Sequence, residues 1–283
     1  MKKETQDIYH EAINKVVDYI NGHLYAPHTT KSLASVANLS EYHFHRIFKS
    51  IIGEPLGSYV VRLRLADIAS RLRITQHSLN LLAEQTSYQS KHALSKEFKK
   101  HFGINPSEFR TTEQNFACNF RYTKQLKPEI QTITGKTAVY LRIIGEYGEA
   151  ESYVNAWKKL YAYGKENDLL TPDSESLGIS FDDPTISSPA HCRFYACFTT
   201  DKPVKPHGEF GVKTIDSGLY AIFTLKGSYS GLQDLYNAIC FNWLPDSGYH
   251  IRKGTMFEKY LNNPNKVDES EILTEVYMPV KEI

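Results

Sequence analysis

Two groups of side chains about fifty positions apart have the chemistry to meet a polyanion. Tyr42, His43, His45, Arg46 and Lys49 form the first, and Lys91, His92, Ser95, Lys96 and Lys99 form the second. Arginine offers a planar fork that matches the edge of guanine or a phosphate, whereas lysine is a point charge. A third group lies far downstream. On a strand, Met256, Glu258 and Tyr260 share one face, so a carboxylate sits beside a phenol. Tyr147, Tyr229 and Trp243 are further aromatic candidates for the same ligand-binding group. A partly buried carboxylate among such rings offers a charge partner and π faces to a cation. Paired nucleophile and base are not evident: the chain has no G-x-S-x-G and no H-E-x-x-H. Cys192 follows His191, but neighbouring strand residues face opposite ways. His43 and His45 stand two apart and diverge on a helix, so no metal site is expected.

The elements that must position the first two groups are short helices. Ile8, Ala12, Ile13, Val16, Val17 and Ile20 recur at helical spacing, and Gly22 is a plausible stop. Thr30 is the expected N-cap of a helix through Ala37, and Asn38–Leu39 turns the chain. Ser40 caps a helix from Glu41 to Ile51, ended by Gly53 and Pro55. The pattern then recurs. A short helix begins at Ser78, Thr86-Ser87-Tyr88 turns, and Ser90 caps a helix to about His101, ended by Gly103 and Pro106. Phe44, His45, Arg46, Phe48 and Gly53 answer Leu94, Ser95, Lys96, Phe98 and Gly103 at an offset of 50. Each unit is a helix-turn-helix pattern. Between them, Leu56 to Arg73 reads as one continuous helix that holds the units apart. Phe44, Phe48, Leu94 and Phe98 are core positions, which leaves the ten polar residues on outer arcs.

This arrangement resembles the DNA-binding domain of the AraC family of bacterial transcription regulators. Leu33-Ala34, Leu39-Ser40-x-x-His43-Phe44-x-Arg46-x-Phe48-Lys49 and Arg62-Leu63-x-x-Ala66 carry the resemblance. So do Leu82-Ala83 and Phe98-Lys99-Lys100-x-Phe102-Gly103-x-x-Pro106-Ser107-x-Phe109-Arg110. It implies two recognition helices entering successive major grooves, about 34 Å apart. Two departures stand out. The family has Gly-Phe where this chain has Ser87-Tyr88, and Arg where it has Lys96. An altered second turn and weaker base contacts from the second helix are the expected consequences.

The second half has its own repeat, at an offset of 82. Ala221, Phe223, Leu225, Gly227 and Tyr229 answer Val139, Leu141, Ile143, Gly145 and Tyr147. Leu232, Leu235, Tyr236, Ile239 and Trp243 answer Ala150, Tyr153, Val154, Trp157 and Tyr161 on a helix. Strands are expected around 177–181, 192–199, 255–261 and 273–280. Each unit is β-α-β-β, and two should pair pseudo-symmetrically into an antiparallel sheet with a groove along the axis. Trp157 and Trp243 lie on apolar helix stripes, where core packing is the commoner fate. These units, with Gly-x-Tyr after the first strand and Trp243-Leu244-Pro245-x-Ser247-Gly248-Tyr249…Phe257-Glu258-x-Tyr260, resemble the GyrI-like effector-binding domain. The resemblance implies a small-molecule effector, a lipophilic cation among the candidates, with Glu258 as its acidic anchor.

Composition agrees with two domains of different character. The 283 residues are 41% hydrophobic and 23% charged, enough for real cores. Residues 1–112 carry 15 Lys+Arg against 10 Asp+Glu and eight of the eleven histidines, whereas 113–283 carry 18 against 22. A basic half suits DNA. The expected layout is an all-α DNA-binding domain, 1–112, a linker, 113–128, and an α+β effector-binding domain, 129–283. The four cysteines read as reduced thiols, and neither a signal peptide nor a membrane span is visible, so a cytoplasmic location is expected. The function read from these features is sequence-specific transcription regulation without enzymatic activity or cofactor. Double-stranded DNA, a small-molecule effector and RNA polymerase are the expected partners. The alternatives are a C-terminal hydrolase or protein-docking module behind the same DNA-binding domain.

Overall fold

The computed structural model describes residues 3–283. The chain divides into two compact units. One is built on residues up to Asn119, the other on those from Phe120 onward, apart from the loop stretches Thr185–Ser187 and His207–Glu209, which group with the first.

The first unit is all helix: α1 (Lys3–Gly22), α2 (Thr30–Val36), α3 (Glu41–Ile52), α4 (Leu56–Ile74), α5 (Leu79–Gln85), α6 (Lys91–Phe102) and α7 (Pro106–Asn119). Local chemistry sets most of the ends. Ser40, Ser78 and Ser90 each accept a backbone N–H of the third residue on. The cap of α2 is Thr29 rather than Thr30, because Thr29 and Ser32 satisfy each other's backbone N–H reciprocally. Gly53 and Gly103 close α3 and α6 with φ of +87° and +79°, a region open to glycine at little cost. The two helix-turn-helix turns differ. Asn38 takes φ +53° in the first, whereas in the second Thr86 is extended and no residue from 86 to 90 adopts positive φ. Ser87 replaces a glycine-friendly corner, so the backbone takes another route around it.

The ends of the domain also differ from expectation. α7 runs to Asn119, so the start of the expected linker 113–128 is helix, and Tyr122 and Leu126 pack in the second unit's core. The apolar stripe of α7 is short, but Phe109 is buried against Phe98, and Glu113 accepts from Arg73 Nε at 2.6 Å. Phe44, Phe48 and Tyr59 form the core of the first helix-turn-helix, and Leu94, Phe98 and Phe109 that of the second. Burying each aromatic ring contributes about 1.5–3 kcal/mol. A nearly buried ion pair, Arg62 to Glu54 at 2.5 Å, fastens the turn after α3 to α4.

The second unit is α+β. Its strands are β1 (Glu129–Ile133), β2 (Lys136–Ile144), β3 (Ser176–Ser180), β4 (Arg193–Thr199), β5 (Phe210–Ile215), β6 (Gly218–Lys226), β7 (Tyr249–Ile251), β8 (Phe257–Tyr260) and β9 (Leu273–Glu282). Its helices are α8 (Ala150–Glu166) and α9 (Leu232–Ala238), which continues as a π-helical turn, Ile239–Trp243. β1, β5 and β7 are additions to the three strands of each β-α-β-β repeat, β1 and β5 standing at equivalent places before β2 and β6. The main sheet is antiparallel in the order β1-β6-β9-β8-β3-β4-β2-β5, which reads as two four-strand halves meeting at β3 and β8. The 82-residue offset holds from β2 to β6, and later strands match at 80, as Cys197 in β4 does Tyr277 in β9.

Both faces of the sheet are covered, which explains why β4 is buried at every position. α8 packs on one half through Val139, Leu141, Phe194 and Phe198, and α9 on the other through Phe223, Leu225 and Val276. The opposite face buries Tyr140, Tyr195, Tyr220, Phe257 and Tyr277 against one another. The sheet curls to allow this: β1 at one edge runs into β2 near the other edge through only Thr134 and Gly135.

Candidate functional site

On α3 the period of the helix sends Phe44 and Phe48 inward, and Tyr42, His45, Arg46 and Lys49 are exposed. The Arg46 guanidinium lies 5.7 Å from the centroid of the Tyr42 ring. His43 is half-buried and meets Tyr9 of α1 edge-on at 5.0 Å. On α6, Leu94 and Phe98 turn inward, and Lys91, His92, Lys96 and Lys99 are exposed, with Ser95 half-buried. The two faces are therefore built alike, but the first carries the guanidinium and the second only ammonium groups.

The third candidate group centres on Glu258 in β8. Its side chain points to the helix-covered face and is 3% exposed. Three hydroxyls hold the carboxylate. Ser180 of β3 and Tyr236 of α9 donate to Oε1 at 3.1 and 2.9 Å, and Tyr260 donates to Oε2 at 2.6 Å. Among the described residues Glu258 forms no ion pair. Burial pushes its carboxyl above the usual range, and the three hydroxyl donors pull against that. The phenols of Tyr236 and Tyr260 are pushed well up by burial, then by the charge of Glu258.

Aromatic side chains wall this carboxylate. Tyr229, in the turn before α9, meets the Tyr260 ring edge-on at 5.5 Å, and Trp157 of α8 meets it from another side at 5.8 Å. Burial first, and Glu258 among the charges, raises the phenols of Tyr153 and Tyr229. The fold brings together Glu258, Tyr260 and Tyr229 of the expected set. Tyr147 belongs to a tie beside them. Its hydroxyl sits 2.9 Å from the Asp182 carbonyl and 3.0 Å from that of Arg193, and accepts the Asp182 N–H at 3.0 Å. Asp182 and Arg193 form a buried ion pair at 2.8 Å. Trp243 is engaged elsewhere: its ring contacts are Phe223 at 5.0 Å and Tyr249 at 6.0 Å. Trp157 takes the place beside Tyr260. Ser180 and Tyr236 escaped the reading because their roles depend on which strand and helix end up beside β8. Tyr236 did leave a signal, since it is a polar-tipped residue on an otherwise apolar helix stripe.

Twin helix-turn-helix units carrying basic faces, followed by a doubled β-α-β-β domain with a buried acid among aromatic rings, define a ligand-responsive DNA-binding regulator. Residues 126–281 match the GyrI-like small molecule binding domain, and residues 33–112 match a helix-turn-helix domain of AraC type. The chain belongs to the GyrI-like family and is an AraC-family DNA-binding transcription regulator. It is 24% identical over 260 residues to the transcriptional regulator Rob of Salmonella typhimurium, covering 88% of this chain and 89% of that one. It is 32% identical over 108 residues to the uncharacterized HTH-type transcriptional regulator YbfP of Bacillus subtilis, covering 38% of this chain and 37% of that one. The crystal structure of the EcmrR C-terminal domain aligns with a TM-score of 0.47 at 20% identity, over 56% of this chain and all of that one. No helix among the described residues is long and apolar enough to cross a membrane.

Proposed function

We propose that the effector is a lipophilic organic cation and that Glu258 is its anchor. The observation that carries this is the state of the carboxylate: buried, walled by tyrosines, and held by three hydroxyls, with no cationic side chain among the described residues paired to it. Removing a charge from water is costly unless it is compensated, and neutral donors compensate only in part. A bound cation completes the compensation and gains cation–π contact with Tyr229, Tyr260 and Trp157. The tyrosine hydroxyls then serve as stand-ins that turn aside when the cation arrives. The domain acts by binding and not by catalysis, in line with a family of regulators.

DNA is bound by the exposed faces of α3 and α6 in the unit built on residues 1–112 and extended by α7, with Arg46 reading a base and the lysines of α6 holding phosphates. The effector shifts the population of a DNA-competent or polymerase-competent state, by no more than its differential affinity for the two states. The protein works in the cytoplasm, where its DNA lies. Titration of the intact protein with tetraphenylphosphonium, followed by tyrosine and tryptophan fluorescence and by melting temperature, tests the reading. Saturable quenching with a rise in melting temperature supports it. No response to this or other aromatic cations overturns the choice of ligand class.

A further inference from the structure

Thr274 lies on β9, opposite Tyr260 of β8 and Leu225 of β6. Directly paired residues of antiparallel strands project on the same side. Thr274 therefore faces the helix-covered side that also carries Glu258. It is 0% exposed, and its hydroxyl has no hydrogen-bond partner. A buried hydroxyl is nearly always paired, so an unpaired one calls for a reason. The internal repeat sharpens the point. The counterpart of Thr274 in the first half, 80 residues earlier, is Phe194, whose ring lies 5.0 Å from that of Tyr153 in the core under α8. Where one half fills this position with a ring, the other keeps a polar group, and it does so in the half that carries Glu258. Packing alone gives no reason for it, since valine has the same shape and lacks the unpaired oxygen.

We infer that the Thr274 hydroxyl is a second polar anchor of the effector site, which takes a hydrogen-bonding oxygen on the same ligand whose positive charge meets Glu258. This rests on the cation reading of Glu258. Glu258 pairs with Val276, so Thr274 is its diagonal neighbour across the ladder, about 7 Å away. Tyr260 stands between the two, directly beside Thr274 and bonded to Glu258. A ligand that turns Tyr260 off the carboxylate uncovers both polar groups in one movement. The class it selects is an aromatic or aliphatic ammonium bearing a hydroxyl, ether or carbonyl a few bonds from the charged centre. A purely hydrocarbon cation satisfies Glu258 and leaves Thr274 unpaired.

The test uses the intact protein and two quaternary ammonium probes of matched shape, benzyl(3-hydroxypropyl)dimethylammonium and benzyl(butyl)dimethylammonium. Calorimetric titration should show the hydroxylated probe bound more tightly by about tenfold, the size of one buried neutral hydrogen bond. In Thr274→Val the preference should vanish while the butyl probe keeps its affinity, and Thr274→Ser should restore it. Thr274→Val removes an unpaired oxygen at constant shape, so its melting temperature should not fall, and folding can be checked on that variant. The same preference in the native protein and in Thr274→Val overturns the role of Thr274 and leaves that of Glu258 standing. Binding of neither probe to the native protein, or butyl affinity unaffected by Glu258→Gln, overturns the cation reading and this inference with it.

Discussion

Gly178 and Glu258 are direct partners across β3 and β8, and the two residues are equivalents in the internal repeat. The pseudo-twofold axis of the sheet passes between them. The donors to Glu258 follow from this position, because Ser180 and Tyr260 are equivalents as well and reach the carboxylate from either side, one to each oxygen. A Cβ on Gly178 would stand 2.2 Å from the Tyr260 hydroxyl and 2.7 Å from the Phe194 ring. A strict repeat would place two glutamates face to face, and like charges at such a spacing resist joint ionisation. Glycine in one half leaves room for a single acid and for the tyrosine that covers it.

Gly178→Ala should therefore push Tyr260 away from Glu258. We expect a loss of about 1–3 kcal/mol in unfolding free energy, typical of overpacking. Tyr260→Phe removes the nearer of the two clashing atoms. Chemical denaturation of the two single variants and the double variant should give a non-additive cycle, with alanine less harmful in the phenylalanine background. Additive losses would mean that the Phe194 contact dominates.

Glu258→Gln keeps the shape and removes the charge. Binding of an aromatic cation should weaken by roughly 1–3 kcal/mol, and a neutral analogue of equal size should lose less. Equal losses would reduce Glu258 to a shape-forming residue.

The pH dependence has a definite sign. The carboxyl of Glu258 is raised in the folded protein, so between the ordinary carboxylate range and its folded pKa the native state holds a proton that the unfolded state has released. Its contribution to stability is full below that window and declines as pH rises through it. Cation affinity runs the other way, growing as Glu258 ionises. Melting curves and titrations from pH 4 to 8 should show opposite trends, and both should flatten in Glu258→Gln. Parallel trends would place the titration on another group.

Arg46→Ala and Lys96→Ala should separate the two basic faces. Loss of the guanidinium should cost about 1–3 kcal/mol and relax preference at one half-site, whereas loss of the ammonium should weaken all sequences alike and lessen the salt dependence. Selection from random DNA with each variant measures this. Loss of preference at the same bases in both would contradict the division of labour.

A fragment ending at 112 cuts α7 and removes Glu113 from the Arg73 guanidinium. A fragment ending at Asn119 keeps both and should melt higher by several degrees, equivalent to about 1 kcal/mol or more for a domain of this size. Equal melting would mean that the last turns of α7 contribute nothing.

Much of this architecture is written in short-range signals. Ser40, Ser90, Gly53 and Gly103 mark the two twelve-residue helices α3 and α6 because caps act within one turn of their own residue. The alternation in β8 alone puts Glu258 and Tyr260 on one face, and the repeats at offsets of 50 and 82 announce two pseudo-symmetric domains. What local pattern does not carry is which element lies beside which. The short strand β5 and the last turns of α7 have weak patterns and gain their place from neighbours. Tyr236 and Ser180 meet Glu258 across 22 and 78 residues of chain, and the choice of Trp157 over Trp243 beside Tyr260 is of the same kind. Such contacts depend on sheet register and on how each helix packs over the curled sheet. A side chain's period fixes the side it faces, but only the closed fold fixes what it finds there.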